Sequence, residues 1–208
     1  MQKQVDKAYY SFSKYIDKKR WISVWHQLNE IMSLNPSSVL EIGPGPGIFK
    51  VLAGHFGISV ETADIDPELN PDFVASATKL PLRDNSYDCV CAFQMLEHIP
   101  YKQALQAFSE LIRVARHNIL ISLPDAKKIW LYEVHIPQIG TKMFQITKPF
   151  SRPHIHRYDG QHYWEINKKN YSLEKVIYDF SMKGAILIKN YRVKEIPYHR
   201  FFLFEPVQ

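Results

Sequence analysis

Three glycines at alternate positions, preceded by an acidic residue, form the segment with the clearest chemical pattern. The residues are Glu41, Gly43, Pro44, Gly45, Pro46 and Gly47. Glycine has no Cβ, so the backbone here can turn sharply and lie close to a ligand. A pyrophosphate would bind the bare amides of a helix N-terminus, but the Glu41 carboxylate would repel it. A ligand with an ammonium or sulfonium group suits the segment better; an ordinary structural turn is the alternative.

A second acidic residue, Asp64, lies about 20 residues beyond the glycines, at the end of an apolar run. A carboxylate in this position can accept hydrogen bonds from the ribose hydroxyls of an adenosine. The alternative is a solvated acid in a surface turn. Because the glycine segment precedes it at this distance, we interpret Asp64 as a nucleoside-binding residue.

Several histidines are candidates for proton transfer. They are His98, which follows an apolar run, and His154, His156 and His162, which lie in an aromatic-rich segment. A histidine near its ordinary pKa can accept a proton from a substrate hydroxyl. Nearby, Arg152 and Arg157 could clamp a carboxylate or phosphate. The alternative is a zinc site made from the histidines of this segment with Asp159 or Glu165, which the absence of cysteines there makes weaker.

These residues lie near the ends of apolar runs that predict β-strands. The predicted strands cover residues 39–42, 58–63, 72–77, 87–93, 117–124, 185–193 and 200–204. Helical periodicity covers residues 5–34, 48–55, 102–114 and 172–183. Within one strand, Cys89 and Cys91 share a face, which is a poor geometry for a disulfide between them. We therefore expect two buried free thiols.

Four segments together resemble the motifs of class I S-adenosylmethionine (SAM) methyltransferases. The resemblance is to the methyltransferase type 11 and ubiquinone-biosynthesis-like small-molecule group. Residues 41–47 resemble its (D/E)-x-G-x-G-x-G motif, and residues 64–67 resemble its acidic motif after the second strand. Residues 76–90 are similar to D-A-x-x-L-P-F-x-D-x-S-F-D-x-V, and residues 96–99 to L-E-H-V/I.

The resemblance implies a SAM site and a role for individual residues. The implied cofactor-binding residues are Glu41, Gly43, Pro44, Gly45, Gly47, Asp64, Ile65, Ser76, Ala77, Phe93 and Gln94. Asp64 would bind the ribose, and Ile65 would pack against the adenine. Ser76 and Ala77 would contact the adenine edge, and Phe93 and Gln94 would face the methionine part of SAM.

Two positions depart from the family pattern. Ser76 stands where the family often has an aspartate, and a hydroxyl accepts a hydrogen bond more weakly than a carboxylate. Gln94 stands where some relatives have the first glutamate of an E-x-x-E-H metal site. A hard-cation site at Gln94, Glu97 and His98 would lack one charge, so we predict no metal.

The resemblance also implies the fold. It predicts an α/β, Rossmann-like doubly wound sheet of seven strands in the order 3-2-1-4-5-7-6, with the seventh strand antiparallel. Residues 1–208 would form a single domain, with an N-terminal helical segment (1–35) and a substrate-capping insert (124–170) after the fifth strand. Tyr9, Tyr10, Phe12 and Tyr15 would either cover the cofactor or pack within the N-terminal helix.

The expected activity is methyl transfer from SAM to a small-molecule, lipid or sugar acceptor, with oxygen as the preferred acceptor atom. The chain lacks the Asn/Asp-Pro-Pro-Tyr segment of enzymes that stack a flipped base, which counts against that class of nucleic-acid enzyme. The alternatives are an RNA or protein methyltransferase, suggested by basic chain ends, and a SAM-binding domain without transfer activity.

Composition supports a globular chain of 208 residues, with 46% hydrophobic and 23% charged side chains. No apolar run approaches the roughly 20 residues of a membrane span, and the first residues lack the apolar core of a signal peptide, so we expect a cytoplasmic location. Residues 21–140 hold eight basic and thirteen acidic side chains, whereas residues 141–208 hold twelve and six. If the basic ends converge over the site, they would favour an anionic acceptor.

Overall fold

The computed structural model describes residues 7–207. Its nine strands are β1 (Val39–Ile42), β2 (Val60–Asp64), β3 (Phe73–Val74), β4 (Tyr87–Phe93), β5 (Ala115–Pro124), β6 (Ile129–Ile136), β7 (Gly140–Thr147), β8 (Ala185–Arg192) and β9 (His199–Pro206). Seven of them form one sheet in the order β3-β2-β1-β4-β5-β9-β8. The pairs from β3 to β5 are parallel, whereas β9 is antiparallel to both β5 and β8. The predicted topology, with an antiparallel seventh strand, is confirmed.

Helices cover both faces of the sheet. They are α1 (Phe12–Tyr15), α2 (Lys18–Leu34), α3 (Ile48–His55), α4 (Tyr101–Val114) and α5 (Leu173–Ser181). Successive strand residues point to opposite faces, so Val39 and Cys89 pack with α2 and α3, while Leu40 and Val90 pack with α4 and α5. Cys91 lies on the same face as Cys89, and both are buried free thiols, as predicted. Within residues 7–207, no helix is long and apolar enough to cross a membrane.

The predicted N-terminal helix is divided into shorter pieces. A 3-10 helix (Lys7–Tyr10), α1 and α2 replace the continuous helix expected over residues 5–34, whose first two residues lie outside the described part of the chain. The Asp17 side chain accepts a hydrogen bond from the Arg20 amide at 2.7 Å and so starts α2. Asn35 ends α2 in the left-handed conformation, where the sequence predicts its end.

The third strand is shorter than the predicted 72–77. The Asp72 carboxylate accepts hydrogen bonds from the Thr62 amide (2.7 Å) and hydroxyl (2.8 Å). Only Phe73 and Val74 then pair with β2. Side-chain bonds of this kind compete with ladder pairing, which explains the shortening.

The insert after β5 contains two strands that we did not predict from the sequence. β6 and β7 form an antiparallel ribbon, in a sheet separate from the central one. The turn between them uses the left-handed conformation at Gln138 and Gly140. Beyond the ribbon, Trp164 is completely buried, and its indole N–H lies 3.2 Å from the carbonyl oxygens of both Leu96 and Ile99. This anchor holds the end of the insert against the segment that follows β4.

Candidate active site

A cavity of about 280 Å³ opens at the carboxyl ends of β1, β2 and β4. Open α/β sheets bind ligands at this edge, where the strand order reverses. The strand ends contribute Ile42, Gly43, Ala63, Asp64, Phe93 and Gln94 to the wall. The N-terminal region contributes Tyr9, Tyr10, Tyr15 and Arg20, and the opposite side is formed by Gln161, His162, Tyr198 and His199. Six separate parts of the chain therefore enclose one site.

The glycine segment brings backbone rather than side chains to the cavity. Gly43, Gly45 and Gly47 all have positive φ, between 54° and 73°, a region that glycine enters at little cost. A Cβ on Gly43 would lie 2.4 Å from Met95 Cγ, and one on Gly45 would lie 3.1 Å from a ring carbon of Tyr10. The lining includes Gly43 and Gly45 but neither Pro44 nor Gly47, which caps α3 instead.

Glu41 is buried in β1, just before this segment, and is not part of the cavity lining. Its Oε2 has no hydrogen-bond partner among the described residues. Burial raises the pKa of Glu41 to about 8, although Lys50 opposes the shift. A buried carboxylate without a partner is costly, and a cation bound above it would supply the missing interaction. The structure thus contains the local environment that a ligand ammonium group would need.

Asp64 ends β2 at the rim of the same cavity. Its Oδ1 accepts a hydrogen bond from the Asp66 amide at 2.9 Å, which orients the carboxylate. Burial raises its pKa, and the Asp66 amide partly offsets this. Ile65 lines the cavity beside it. The position is suitable for binding a pair of ligand hydroxyls.

The residues with implied adenine roles occupy different positions. Ala77 lines the cavity together with Ala75 and Leu69, and these side chains form an apolar part of the wall. The Ser76 hydroxyl lies 2.8 Å from the Thr78 hydroxyl, within the turn that follows β3, and Ser76 is not part of the lining.

Gln94 adopts an unusual backbone conformation at the end of β4. Its φ is 51°, and its amide donates a hydrogen bond to the Ser122 carbonyl at 2.9 Å. The side-chain amide also lies 3.3 Å from the Ser122 hydroxyl. Left-handed conformations of non-glycine residues are costly and cluster at functional sites. The preceding Phe93 lines the cavity and packs edge-on against Phe49.

Three polar side chains form a hydrogen-bonded group on the opposite wall. His162 Nδ1 lies 3.0 Å from Glu165 Oε1, and the Tyr198 hydroxyl donates to the same oxygen at 2.6 Å. Burial raises the pKa of Glu165, but these hydrogen bonds lower it more, to about 2. Burial lowers the pKa of His162, yet Glu165 and the nearby Glu97 raise it above its ordinary value. Because an ionised carboxylate only accepts hydrogen bonds, the His162 proton lies on Nδ1.

His98 and Glu97 extend this group into the cavity wall. The His98 ring lies 5.0 Å from the His162 ring, and its Nδ1 donates to the Gln161 carbonyl at 3.2 Å. Burial lowers the pKa of His98 to about 4 and raises that of Glu97 to about 7. Both carboxylate oxygens of Glu97 are buried and have no hydrogen-bond partner within residues 7–207. Ligand atoms of Glu97, His98 and His162 lie within 4.8 Å of one another, so the group could transfer protons or bind a cation.

The other two candidate histidines lie outside the cavity lining. His154 is exposed, and its carbonyl accepts a hydrogen bond from the Lys169 amide. His156 Nε2 donates to the His162 carbonyl at 2.8 Å and so supports the backbone next to the cavity. The three histidines of the insert therefore do not converge as the zinc alternative requires. Part of that alternative does converge, because ligand atoms of Asp159, His162 and Glu165 lie within 4.8 Å of one another.

The sequence analysis did not identify three residues of this site, Glu97, Tyr198 and His199. It considered Glu97 only as a possible metal ligand. An acid beside His98 after an apolar strand was a weak signal for Glu97. Tyr198 and His199 reach the site from the connection between β8 and β9, and no local pattern marks them. The N-terminal tyrosines, by contrast, line the cavity, which is one of the two arrangements that the sequence suggested for them.

Comparison with known proteins identifies the family. A family profile described as "Methyltransferase domain" matches residues 13–172, well over half of the chain. No curated protein matches the sequence significantly.

Solved structures share the fold at low sequence identity. The PH0226 protein from Pyrococcus horikoshii OT3 is 16% identical, with a TM-score of 0.64 over 97% of this chain and 99% of that chain. A 1,6-didemethyltoxoflavin-N1-methyltransferase from Burkholderia thailandensis, solved with S-adenosylhomocysteine, is 12% identical, with a TM-score of 0.62 over 89% and 79%. Magnesium protoporphyrin IX methyltransferase from Synechocystis PCC 6803, solved with SAM, is 16% identical, with a TM-score of 0.56 over 88% and 78%.

These likenesses show a shared fold. The profile match covers the glycine segment, both acidic strand ends and His162. The chain therefore belongs to the methyltransferase domain family.

Proposed function

We propose that this protein binds SAM in the cavity and transfers its methyl group to a small-molecule, lipid or sugar acceptor, at an oxygen atom. The observation that carries the proposal is Asp64 in the cavity lining, at the end of the strand next to β1, where Glu41 is buried with a partnerless oxygen among the described residues. The ribose hydroxyls and the ammonium group of SAM are hydrogen-bond donors that these two acids match.

The remaining wall fits the rest of the cofactor. The apolar residues Leu69, Ala75 and Ala77 suit an adenine ring, and Gly43 and Gln94 border the space that we assign to the methionine part. When bound, SAM supplies an electrophilic methyl group on a sulfonium centre. The protein then mainly positions donor and acceptor and excludes water.

His162 is the proton acceptor in this proposal. Its Nδ1 proton is held by Glu165, which Tyr198 orients in turn. The neutral ring therefore presents its other nitrogen as a base, and the Glu165 charge stabilises the ring once it is protonated. Such a base is useful for a weakly acidic hydroxyl acceptor, which supports oxygen as the acceptor atom.

The N-terminal segment and the insert form the substrate side of a single domain. Tyr10 and Tyr15 cover one side of the cavity, and Gln161 and His162 close the other. Arg20 also lines the cavity and packs 4.2 Å from the centre of the Tyr15 ring. A guanidinium in this wall favours an acceptor that carries a carboxylate or phosphate.

Calorimetry with SAM and with S-adenosylhomocysteine (SAH) tests the cofactor assignment. We expect both to bind, and Asp64→Ala to weaken binding by about 1–3 kcal/mol through loss of a charged hydrogen-bond partner. Asp84→Ala, which removes an exposed carboxylate far from the cavity lining, is the matched control and should bind like the wild type. Absence of binding at millimolar cofactor would refute the proposal.

Radiolabelled SAM tests the transfer step. Transfer of label into a low-molecular-weight or lipid fraction of a cell extract is the expected result. Label recovered only in protein or RNA would contradict the proposed acceptor class. Binding without any transfer would show a SAM-binding domain instead.

A further inference from the structure

The β6–β7 ribbon has two chemically different faces. Directly opposed residues of an antiparallel pair lie on the same face, so the pairing Trp130–Ile146, Tyr132–Phe144 and Val134–Lys142 defines one face, which we call the outer face. Six of its side chains are apolar: Trp130, Tyr132, Val134, Ile136, Phe144 and Ile146. Ile136 is partly buried, and each of the other five is between 43% and 53% exposed. Lys142 is the one charged residue on this face.

The other face attaches the ribbon to the protein. Gln145 donates hydrogen bonds to the carbonyl oxygens of Val193 (2.9 Å) and Lys194 (3.2 Å). At the base of the ribbon, Arg192 donates to the Lys127 carbonyl at 3.0 Å. These contacts turn the outer face away from the protein body. A two-stranded ribbon is marginally stable alone, and a contiguous exposed apolar face is typical of an interaction surface.

The charges of the ribbon and of the segments next to it in sequence indicate what covers the outer face. Residues 126–158 contain six basic side chains, Lys127, Lys128, Lys142, Lys148, Arg152 and Arg157, against the single acid Glu133. Glu133 pairs with Met143 and so lies on the attached face. A second copy of the chain would bring an equal positive charge to the contact. An anionic surface would instead be attracted to it.

We propose that the outer face docks on a lipid bilayer that contains anionic head groups. Trp and Tyr side chains favour the membrane–water interface, because each has an apolar ring and a polar edge. Lysine and arginine around them can bury their apolar stems and direct their charges to lipid phosphates. Docking in this way is peripheral and reversible. Membrane docking of the outer face does not depend on the proposed methyl transfer, because the outer face binds neither the cofactor nor the acceptor.

Vesicle co-sedimentation of the full chain tests the proposal. We expect binding to vesicles of phosphatidylcholine with phosphatidylglycerol, little binding to phosphatidylcholine alone, and loss of binding at high salt. The double substitution Tyr132→Ser and Phe144→Ser should weaken binding by roughly tenfold or more. Tyr178→Ser is the matched control, because Tyr178 is an exposed tyrosine on α5. Unchanged circular dichroism would show that the ribbon variant is folded.

A second variant tests the proposal without removing apolar side chains from the ribbon. Lys142→Glu changes one exposed charge beside Val134, and we expect weaker binding to anionic vesicles with no change in melting temperature. Absence of binding to anionic vesicles, or equal binding to neutral ones, would overturn the proposal. Sedimentation experiments could also show that the wild type is a dimer and that the double substitution at Tyr132 and Phe144 abolishes the dimer. This result would overturn the proposal, because it would assign the outer face to a second copy of the chain.

Discussion

The two walls of the cavity are built in different ways. One, which we call the sheet wall, consists of Ile42, Gly43 and Gly45 with residues 63–66 and 93–95, at the ends of parallel strands. The other, the insert wall, consists of Gln161, His162 and Tyr198, and Glu165 holds the last two from outside the lining. The sheet wall uses backbone conformation and two acidic residues, whereas the insert wall uses side-chain hydrogen bonds between distant segments.

The difference between the two walls fits two separate tasks, cofactor binding at the sheet wall and acceptor chemistry at the insert wall. Hydrogen bonds to the neighbouring strands on both sides fix the strand ends in place. The sheet wall is therefore suited to a ligand that all members of a fold family share. The insert is held by separate side-chain and backbone contacts, among them the Trp164 indole with Leu96 and Ile99 and the Tyr163 amide with the Glu97 carbonyl. A wall held in this way can vary in sequence while the sheet stays unchanged.

We expect the largest effect from a substitution that removes the buried Trp164 side chain, which anchors the insert wall. Trp164→Ala should lower the free energy of unfolding by about 3–5 kcal/mol, because it removes a completely buried ring and leaves a cavity. Urea unfolding measures this directly. Trp130→Ala is the matched control, because Trp130 is partly exposed on the ribbon, and it should change stability far less. Equal effects of the two substitutions would show that Trp164 is not an anchor.

Substitution of the proposed base tests the insert wall without unfolding it. His162→Gln should lower kcat by about 10²-fold or more, because general bases contribute on this scale, while the SAH dissociation constant stays nearly unchanged. His154→Gln, a change at an exposed histidine of the same segment, should leave both values unaltered. If His162→Gln weakened SAH binding and spared kcat, the assignment of the two walls would be reversed.

A glycine substitution tests whether backbone conformation builds the sheet wall. Gly43→Ala should cost about 1–3 kcal/mol in stability or SAH binding, because φ is 70° and the new Cβ would meet Met95. Gly57→Ala separates the two causes, since Gly57 also has positive φ but nothing within 4 Å of its Cβ position. We expect a larger loss at Gly43. Equal losses would mean that the close approach to Met95 is unimportant.

Proton release on ligand binding tests the role of Glu41. Its pKa of about 8 means that it is mostly protonated at pH 7. An ammonium group bound nearby favours the charged carboxylate and lowers this pKa. SAH binding at pH 7 should therefore release up to one proton, measured by calorimetry in buffers of different ionisation enthalpy. The release should disappear in Glu41→Gln; its persistence would point to another group.

The smallest expected effect concerns metal. Glu97, His98 and His162 could bind a cation by their geometry, but the proposed proton transfer needs none. Prolonged treatment with a chelator, followed by gel filtration, should leave the transfer rate unchanged. A loss that a divalent cation restores would assign these residues to a metal site and would remove His162 from the role of base.

Much of the fold could be predicted because its signals are local. The strand from Tyr87 to Phe93 was predicted at its observed bounds, and the sheet order followed from the motif resemblance. The third strand was predicted too long, since no pattern indicates that the Asp72 side chain bonds Thr62. The ribbon was missed because its alternating residues lie in a segment crowded with prolines and histidines.

The sequence alone determined the positions of Glu41, the glycines and Asp64. The two acids lie near the ends of strands that the local pattern predicts, and the glycines adopt a backbone conformation that only glycine enters easily. The sequence could not show which histidine reaches the cavity. No local pattern ranks His154, His156 and His162, and only the packing of Trp164 and the approach of Tyr198 from the β8–β9 connection place His162 against Glu165. Contacts between residues far apart in the chain leave no periodic trace, so only the tertiary structure decided that side of the site.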